Sequence, residues 1–88
     1  MSKVDMPSTP DLQEAVLKSI SALGGKATNA EIYSWTIANM NISEDVLKII
    51  HSGNRTEIEY RLAWARTKAR KIGLIHRSAP STWSFGAE

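Results

Sequence analysis

The sequence contains no cysteine among its 88 residues. Disulfide bonds and thiolate metal ligands are therefore excluded, and packing of helices with a small sheet has to hold the fold together. The chain also lacks an apolar run of the roughly 18 residues that a membrane-spanning helix needs. Residues 1–7 have no apolar signal core, so secretion is not indicated and we expect a cytoplasmic protein.

Patterns typical of catalysis or metal binding are scarce as well. The two histidines, His51 and His76, have no carboxylate partner at a suggestive spacing. The acidic pairs at residues 44–45 and at Glu57 and Glu59 lie where we expect helices to begin, and compensation of the helix dipole explains them. No glycine-rich phosphate-binding loop is present. We therefore predict that the chain is not an enzyme and holds neither a metal ion nor another cofactor.

The length and composition indicate one globular domain. Eighty-eight residues suffice for a single domain. Hydrophobic residues make up 42% of the chain, which excludes wholesale disorder. The first residues are polar and include a proline, so we predict a flexible N-terminal tail over residues 1–8 and the folded domain over residues 9–88.

The charge is unevenly distributed, although the net charge is only +2. Residues 1–54 carry four lysines against six acidic residues, whereas residues 55–77 carry seven arginines and lysines against two glutamates. Such asymmetry is expected for a protein with a polyanionic partner. A solvated basic helix without any partner would have the same composition, so charge alone leaves both interpretations open.

Apolar spacing and capping residues predict four helices. The first starts with Thr9 as its cap and ends at the glycine pair 24–25. The second starts at a capping box, in which Thr28 caps the helix and Glu31 reaches back to the amide of the cap. Ser43 is expected to cap a short third helix, which a loop over residues 51–54 follows.

The fourth helix, over residues 55–72, has the clearest pattern. Its apolar residues recur on one face, and Gly73 ends it. Beyond Gly73 the period changes to that of a β-hairpin with strands at residues 74–77 and 82–85, and residues 26–28 add a short third strand. We expect the core to contain Leu12, Val16, Ile20, Leu23, Ile32, Leu47, Ile58, Leu62, Ala65, Ala69, Ile72, Leu74, Trp83 and Phe85.

The order of these elements is that of a winged helix-turn-helix, a mainly α fold with four helices and a C-terminal hairpin as the wing. A helix fits the major groove of duplex DNA, where arginine and lysine side chains reach base edges and phosphates. Free amides at the start of the second helix suit a phosphate. We therefore predict that the helix over residues 55–72 enters the major groove. The candidate DNA-binding residues are Thr28, Asn29, Asn54, Arg55, Tyr60, Arg61, Trp64, Thr67, Lys68, Lys71 and Arg77.

These candidates are expected to act in different ways. Arg55 and Tyr60 lie near the amino end of the fourth helix, where recognition helices reach bases, whereas Lys68 and Lys71 are expected to hold phosphates. Trp64 lies toward the outer side, where it can stack on a base. Alternatively, Trp64 packs under the hairpin or the preceding loop. We favour packing, because a large exposed tryptophan is costly.

Two further arginines, Arg66 and Arg70, lie on a different flank of the fourth helix. The acidic residues of the sequence are concentrated before residue 55, in the segments that form the first helices. We therefore expect both arginines to pair with acidic residues there rather than to bind DNA.

A resemblance to a known family rests on three segments. They are Ser52-Gly53, the block Tyr60-Arg61-Leu62-Ala63-Trp64-Ala65-Arg66-Thr67, and Lys71-Ile72-Gly73-Leu74-Ile75. Through them residues 15–85 resemble the N-terminal domain of the Mrr family of restriction endonucleases, which target modified DNA. The resemblance implies a winged-helix fold and a role as the DNA-recognition half of a restriction enzyme.

Two departures from the family pattern affect these expectations. Family members usually carry Arg-Gly near the second strand of the hairpin, whereas this sequence has Ala79-Pro80-Ser81-Thr82, which leaves Arg77 as the basic residue of the wing. The nuclease half would follow the hairpin in a parent protein. The chain stops at Glu88, so we expect either an excised domain or a free-standing module.

Duplex DNA, modified or unmodified, is thus the expected partner, and two alternatives remain. The domain can be a protein-interaction module whose basic face is incidental. It can also be a small transcriptional regulator, which would normally bind two half-sites as a dimer. The sequence has no obvious additional dimerisation helix.

Overall fold

A computed structural model describes residues 6–86 of the chain, so residues 1–5 and 87–88 lie outside the described part. Within it, the structure has the four predicted helices together with small antiparallel sheets. The elements are α1 (Thr9–Ala22), β1 (Lys26–Thr28), α2 (Asn29–Met40), α3 (Glu44–Leu47), β2 (Ile50–Ser52), β3 (Arg55–Thr56), α4 (Glu57–Lys71), β4 (Ile75–Ala79) and β5 (Thr82–Phe85). No helix in residues 6–86 has the length and apolar character that crossing a membrane requires.

The predicted caps of α2 and α3 are confirmed. The Thr28 hydroxyl accepts from the Glu31 amide at 3.1 Å, and the Glu31 carboxylate accepts from the Thr28 amide at 2.9 Å. The Ser43 hydroxyl accepts from the Val46 amide at 3.3 Å. Each cap satisfies amides that have no partner inside the helix, which explains why these short sequence signals locate the starts of both helices.

The start of α1 differs from the prediction by one residue. Ser8 caps the helix, because its hydroxyl accepts from the Asp11 amide at 3.2 Å, so the assignment of Thr9 as the cap is wrong. Serine and threonine are both good caps, and the sequence offered them side by side. Met6 and Pro7, which we placed in the tail, pack against the folded domain, with Pro7 buried.

A second hairpin precedes α4 in place of part of the predicted loop. Strands β2 and β3 pair in antiparallel fashion around a turn at Gly53, whose φ of 53° lies in the left-handed region that glycine adopts readily. Thr56 then caps α4 in a capping box with Glu59. The predicted loop at residues 51–52 is therefore wrong, and α4 begins at Glu57 rather than at residue 55.

The main sheet pairs the strand that precedes α2 with the C-terminal hairpin. Its order is β1-β5-β4, and all neighbours are antiparallel, so the expected third strand at residues 26–28 is confirmed. Trp83 on the central strand lies opposite Ala27 on one side and Arg77 on the other. The sheet thereby fixes the β4–β5 hairpin beside the start of α2.

Most of the predicted core is buried, including Leu12, Ile20, Ile58 and Leu62. Five predicted members are not. Leu47 is only partly buried, and four are exposed: Leu23, Ile72, Leu74 and Phe85.

The exposed four lie at or just beyond the ends of the elements that would have buried them. Leu23 and Ile72 are the C-caps of α1 and α4, so the helical stripe no longer turns them inward. Strand alternation buries Ile75 and leaves Leu74 outside, and Phe85 lies past the last residue that β1 pairs. The core also contains residues that we did not predict, namely Ala15, Ala27, Ile42, Val46 and Ile75.

Candidate functional site

The start of α2 is tied to the β4–β5 hairpin. The Asn29 amide donates to the Ser81 carbonyl at 2.9 Å, and the Asn29 side-chain oxygen accepts from the Trp83 indole N–H at 2.7 Å. The Thr28 amide is taken by Glu31. The prediction of free amides at Thr28 and Asn29 is therefore wrong, because both amides have intramolecular partners. Asn29 instead sets the position of the hairpin relative to α2.

Arg61 is held in place by two groups of its own chain. Its Nε donates to the Glu57 carboxylate at 2.8 Å, and Nη1 donates to the Pro7 carbonyl at 3.4 Å. His51 Nδ1 lies 2.9 Å from the other Glu57 oxygen. The hydrogen bond from Arg61, followed by that from His51, lowers the pKa of Glu57 below its usual 4.5. Arg61 is thus partly occupied in neutralising a carboxylate rather than fully available to a ligand.

Replacing Arg61 by alanine is expected to raise the pKa of the Glu57 carboxyl toward 4.5, because the largest cause of the lowering is removed. A folded-state pKa below the unfolded value stabilises the protein above the unfolded pKa, and this contribution is lost as the pH falls through the folded pKa. Carboxyl NMR titration measures the shift directly. The matched control, Lys71→Ala, removes a charge at the far end of α4. An unchanged Glu57 pKa in the Arg61 variant would contradict the assignment.

An aromatic cluster covers the outer side of the first half of α4. The Tyr60 ring stacks on His51 with centroids 3.7 Å apart, and Trp64 meets Tyr60 edge-on at 6.4 Å. The Arg55 guanidinium lies 5.8 Å from the centroid of the Tyr60 ring. Trp64 is 46% exposed, so the interpretation that it packs under a hairpin or loop is wrong. The β2–β3 hairpin places His51 on Tyr60 and leaves the Trp64 indole accessible.

The remaining candidates on α4 and β4 are exposed. Lys68, Lys71 and Arg77 lie on the surface. The Thr67 hydroxyl donates to the Ala63 carbonyl at 3.0 Å, one turn earlier in the helix. Thr67 also lines a small cavity on the outer side of α4 with Arg55, Tyr60 and Trp64. Lys68, Lys71 and Arg77 present their charges to solvent.

A cavity of about 600 Å³ opens between α2, the β2–β3 hairpin and α4. Three predicted residues line it: Asn29, Asn54 and Arg55. Arg66 lines it too, and its buried Nε has no hydrogen-bond partner within residues 6–86. The expectation that Arg66 pairs with an acidic residue of the first helices is therefore wrong. The structure brings Arg66 into the group of candidates instead.

Electrostatics in this cavity combine burial with like charge. Burial lowers the pKa of the Arg66 guanidinium, and the positive charge of Arg55 lowers it further. An arginine remains protonated at neutral pH all the same. On the opposite wall, burial and then the charge of Glu59 raise the pKa of the Tyr33 hydroxyl. Within residues 6–86, the lining of the cavity thus has two guanidinium groups that repel each other, together with one carboxylate.

Arg66 and Tyr33 were not among the predicted site residues. A weak signal exists for Arg66, since it follows Glu59 by seven residues and so lies on the same face of α4. Nothing in the sequence places Tyr33 opposite that face. In residues 6–86 no group of three or more histidine, cysteine, aspartate or glutamate side chains is arranged to hold a metal ion.

The chain matches the model of a known protein family. The family model of the Mrr N-terminal domain matches residues 11–86, which is most of the chain. Comparison with curated proteins and with solved structures gave no match. The match includes α4 and both hairpins, and it confirms the resemblance found in the sequence. The chain therefore belongs to the family of Mrr N-terminal domains.

Proposed function

We propose that this domain is a winged helix-turn-helix module that binds duplex DNA and recognises the target of a modification-dependent restriction system. In this proposal α4 lies in the major groove and the β4–β5 hairpin is the wing. The domain performs no chemistry, and a nuclease joined to it or acting with it would cleave the DNA. The family assignment supports the connection to restriction.

The observation that carries the proposal is the unbalanced positive charge of α4 and its flanks. Residues 55–77 contain two glutamates, and both are used internally. Glu57 binds Arg61 and His51, and Glu59 completes the capping box of α4. Four exposed cations of this segment consequently take no part in the ion pairs of residues 6–86: Arg55, Lys68, Lys71 and Arg77. Such a surface attracts a polyanion.

The shape of this region supports the same partner. A helix of 15 residues spans about 22 Å, and its diameter matches the major groove. Asn29 anchors the β4–β5 hairpin to the start of α2 through Ser81 and Trp83, so α2 and the hairpin keep a fixed relation. Helix α4 packs beside β4 of the same hairpin. A fixed relation is what simultaneous contact with a groove and its flanking phosphates requires.

Titration of the domain with unmodified and methylated duplexes over a range of salt concentrations tests the proposal. The logarithm of the binding constant should fall linearly with the logarithm of salt concentration, with a slope of about −0.9 for each phosphate neutralised. Tighter binding of the methylated duplex would support recognition of modified DNA. Absence of duplex binding at physiological salt would overturn the proposal in favour of a protein-interaction module. Preference for a two-fold operator would favour a regulator.

A further inference from the structure

The cavity between α2, the β2–β3 hairpin and α4 has a composition that the groove-facing role of α4 does not explain. Arg66 lies on the flank of α4 toward α2, not on the outer side with Tyr60 and Trp64. A charged side chain is rarely buried without a partner, because burial of an unpaired charge is costly. The Arg66 side chain is partly buried, and its Nε is fully buried with no hydrogen-bond partner within the described residues.

The second arginine adds to this imbalance. Arg55 lines the same cavity, and its charge disfavours the protonated form of Arg66. Two guanidinium groups facing one cavity repel each other unless an anion lies between them. Among the described residues that line the cavity, Glu59 supplies the only carboxylate. One of its oxygens already accepts from the Thr56 amide at 2.9 Å and from the Thr56 hydroxyl at 3.2 Å.

We propose that this cavity binds a phosphate group, with Arg66 as the anchor and Arg55 and Asn54 as further donors. Guanidinium groups bind phosphate through paired, charge-assisted hydrogen bonds. An anion there would supply the missing partner of the Arg66 Nε and screen the repulsion between the arginines. The Glu59 carboxylate opposes an anion, and its engagement in the helix cap limits that opposition.

The size of the cavity indicates which phosphate it takes. A volume of about 600 Å³ is in the range of sites for whole small molecules and far exceeds one phosphate group. A phosphodiester of a nucleic-acid backbone, with sugars on both sides, uses this space better than an isolated ion. The assignment to a DNA backbone phosphate rests on the proposed function, whereas the phosphate site itself does not.

NMR titration of the whole chain with inorganic phosphate tests the site. The side-chain Nε–H resonance of Arg66 should shift saturably, and sodium chloride at equal ionic strength should not reproduce the shift. In Arg66→Gln the backbone amides of Asn54 and Arg55 should no longer respond. Lys48→Gln, which removes an exposed cation outside the proposed DNA-binding surface, should respond as the native chain does. Arg66→Lys keeps the charge but lacks Nε and should bind phosphate more weakly.

A duplex titration separates this proposal from the preceding one. Arg66→Gln should weaken duplex binding roughly tenfold or more and reduce the salt slope by about one. The cavity proposal is wrong if Arg66→Gln and the native chain bind duplex equally well and phosphate does not shift the Arg66 resonance. Duplex binding by the domain would still stand in that case. If phosphate shifts Arg66 but no duplex binds, the site is upheld and its assignment to DNA is overturned. Should Arg66→Gln fail to fold, the phosphate titrations of the native chain and of Arg66→Lys still decide whether the cavity binds phosphate.

Discussion

Replacing Leu62 by alanine is expected to lower the free energy of unfolding by about 2–5 kcal/mol. Leu62 lies in the middle of α4 and is 1% exposed, so the substitution removes buried methyl groups and leaves a void beneath the helix. A domain of this size has only about 5–15 kcal/mol of stability in total. The variant should therefore lose a substantial part of the stability of the domain.

Urea denaturation followed by circular dichroism measures this loss. The matched control is Leu74→Ala, which makes the same chemical change at a side chain that is 41% exposed. The free energy of unfolding should fall much less in the control, because Leu74 has less apolar area buried and its truncation leaves no enclosed void. Equal losses for the two variants would show that the face of α4 assigned to the core is wrong.

Replacing Arg55, Lys68, Lys71 and Arg77 together by alanine should nearly abolish duplex binding. Each cation that holds a phosphate contributes about one to the slope of log affinity against log salt, so the slope should fall by about three to four. Arg61 is left out of this set because Glu57 and the Pro7 carbonyl already hold it. The loss of affinity should be similar for preferred and random duplexes, because phosphate contacts do not depend on sequence. Loss of the base contacts proposed for Arg55 should weaken binding to the preferred duplex further.

Fluorescence anisotropy over a range of salt concentrations measures both affinity and slope. The control variant replaces Lys18 and Lys48, two exposed cations of α1 and of the C-cap of α3. This variant should bind duplex nearly as the native chain does. A folded fourfold variant with unchanged affinity would exclude α4 as the DNA-binding surface and favour the protein-interaction alternative.

The elements that sequence reasoning located correctly depend on neighbours along the chain. The capping box of Thr28 and Glu31 and the cap at Ser43 act over three residues. The buried face of α4 follows from the helical period alone. The capping box of Thr56 and Glu59 has the same threonine-to-glutamate spacing and is equally local. Interactions between residues a few positions apart can therefore be predicted from the sequence alone.

The candidate site depended on contacts between distant residues. Asn29 and Trp83 are 54 positions apart, and their hydrogen bond sets the hairpin beside α2. The β2–β3 hairpin was not predicted, and its placement of His51 and Arg55 around Tyr60 decides that Trp64 stays exposed.

What the sequence by itself determined is therefore the family, the four helices, the β4–β5 hairpin with its third strand, and the basic character of residues 55–77. These features follow from short-range spacing and composition. Only the tertiary structure decided that Arg61 is occupied by Glu57 whereas Arg66 faces a cavity beside Arg55. The reason is physical: Arg61 and Arg66 belong to one helix, and the surroundings of each depend on which segment packs against its side of that helix.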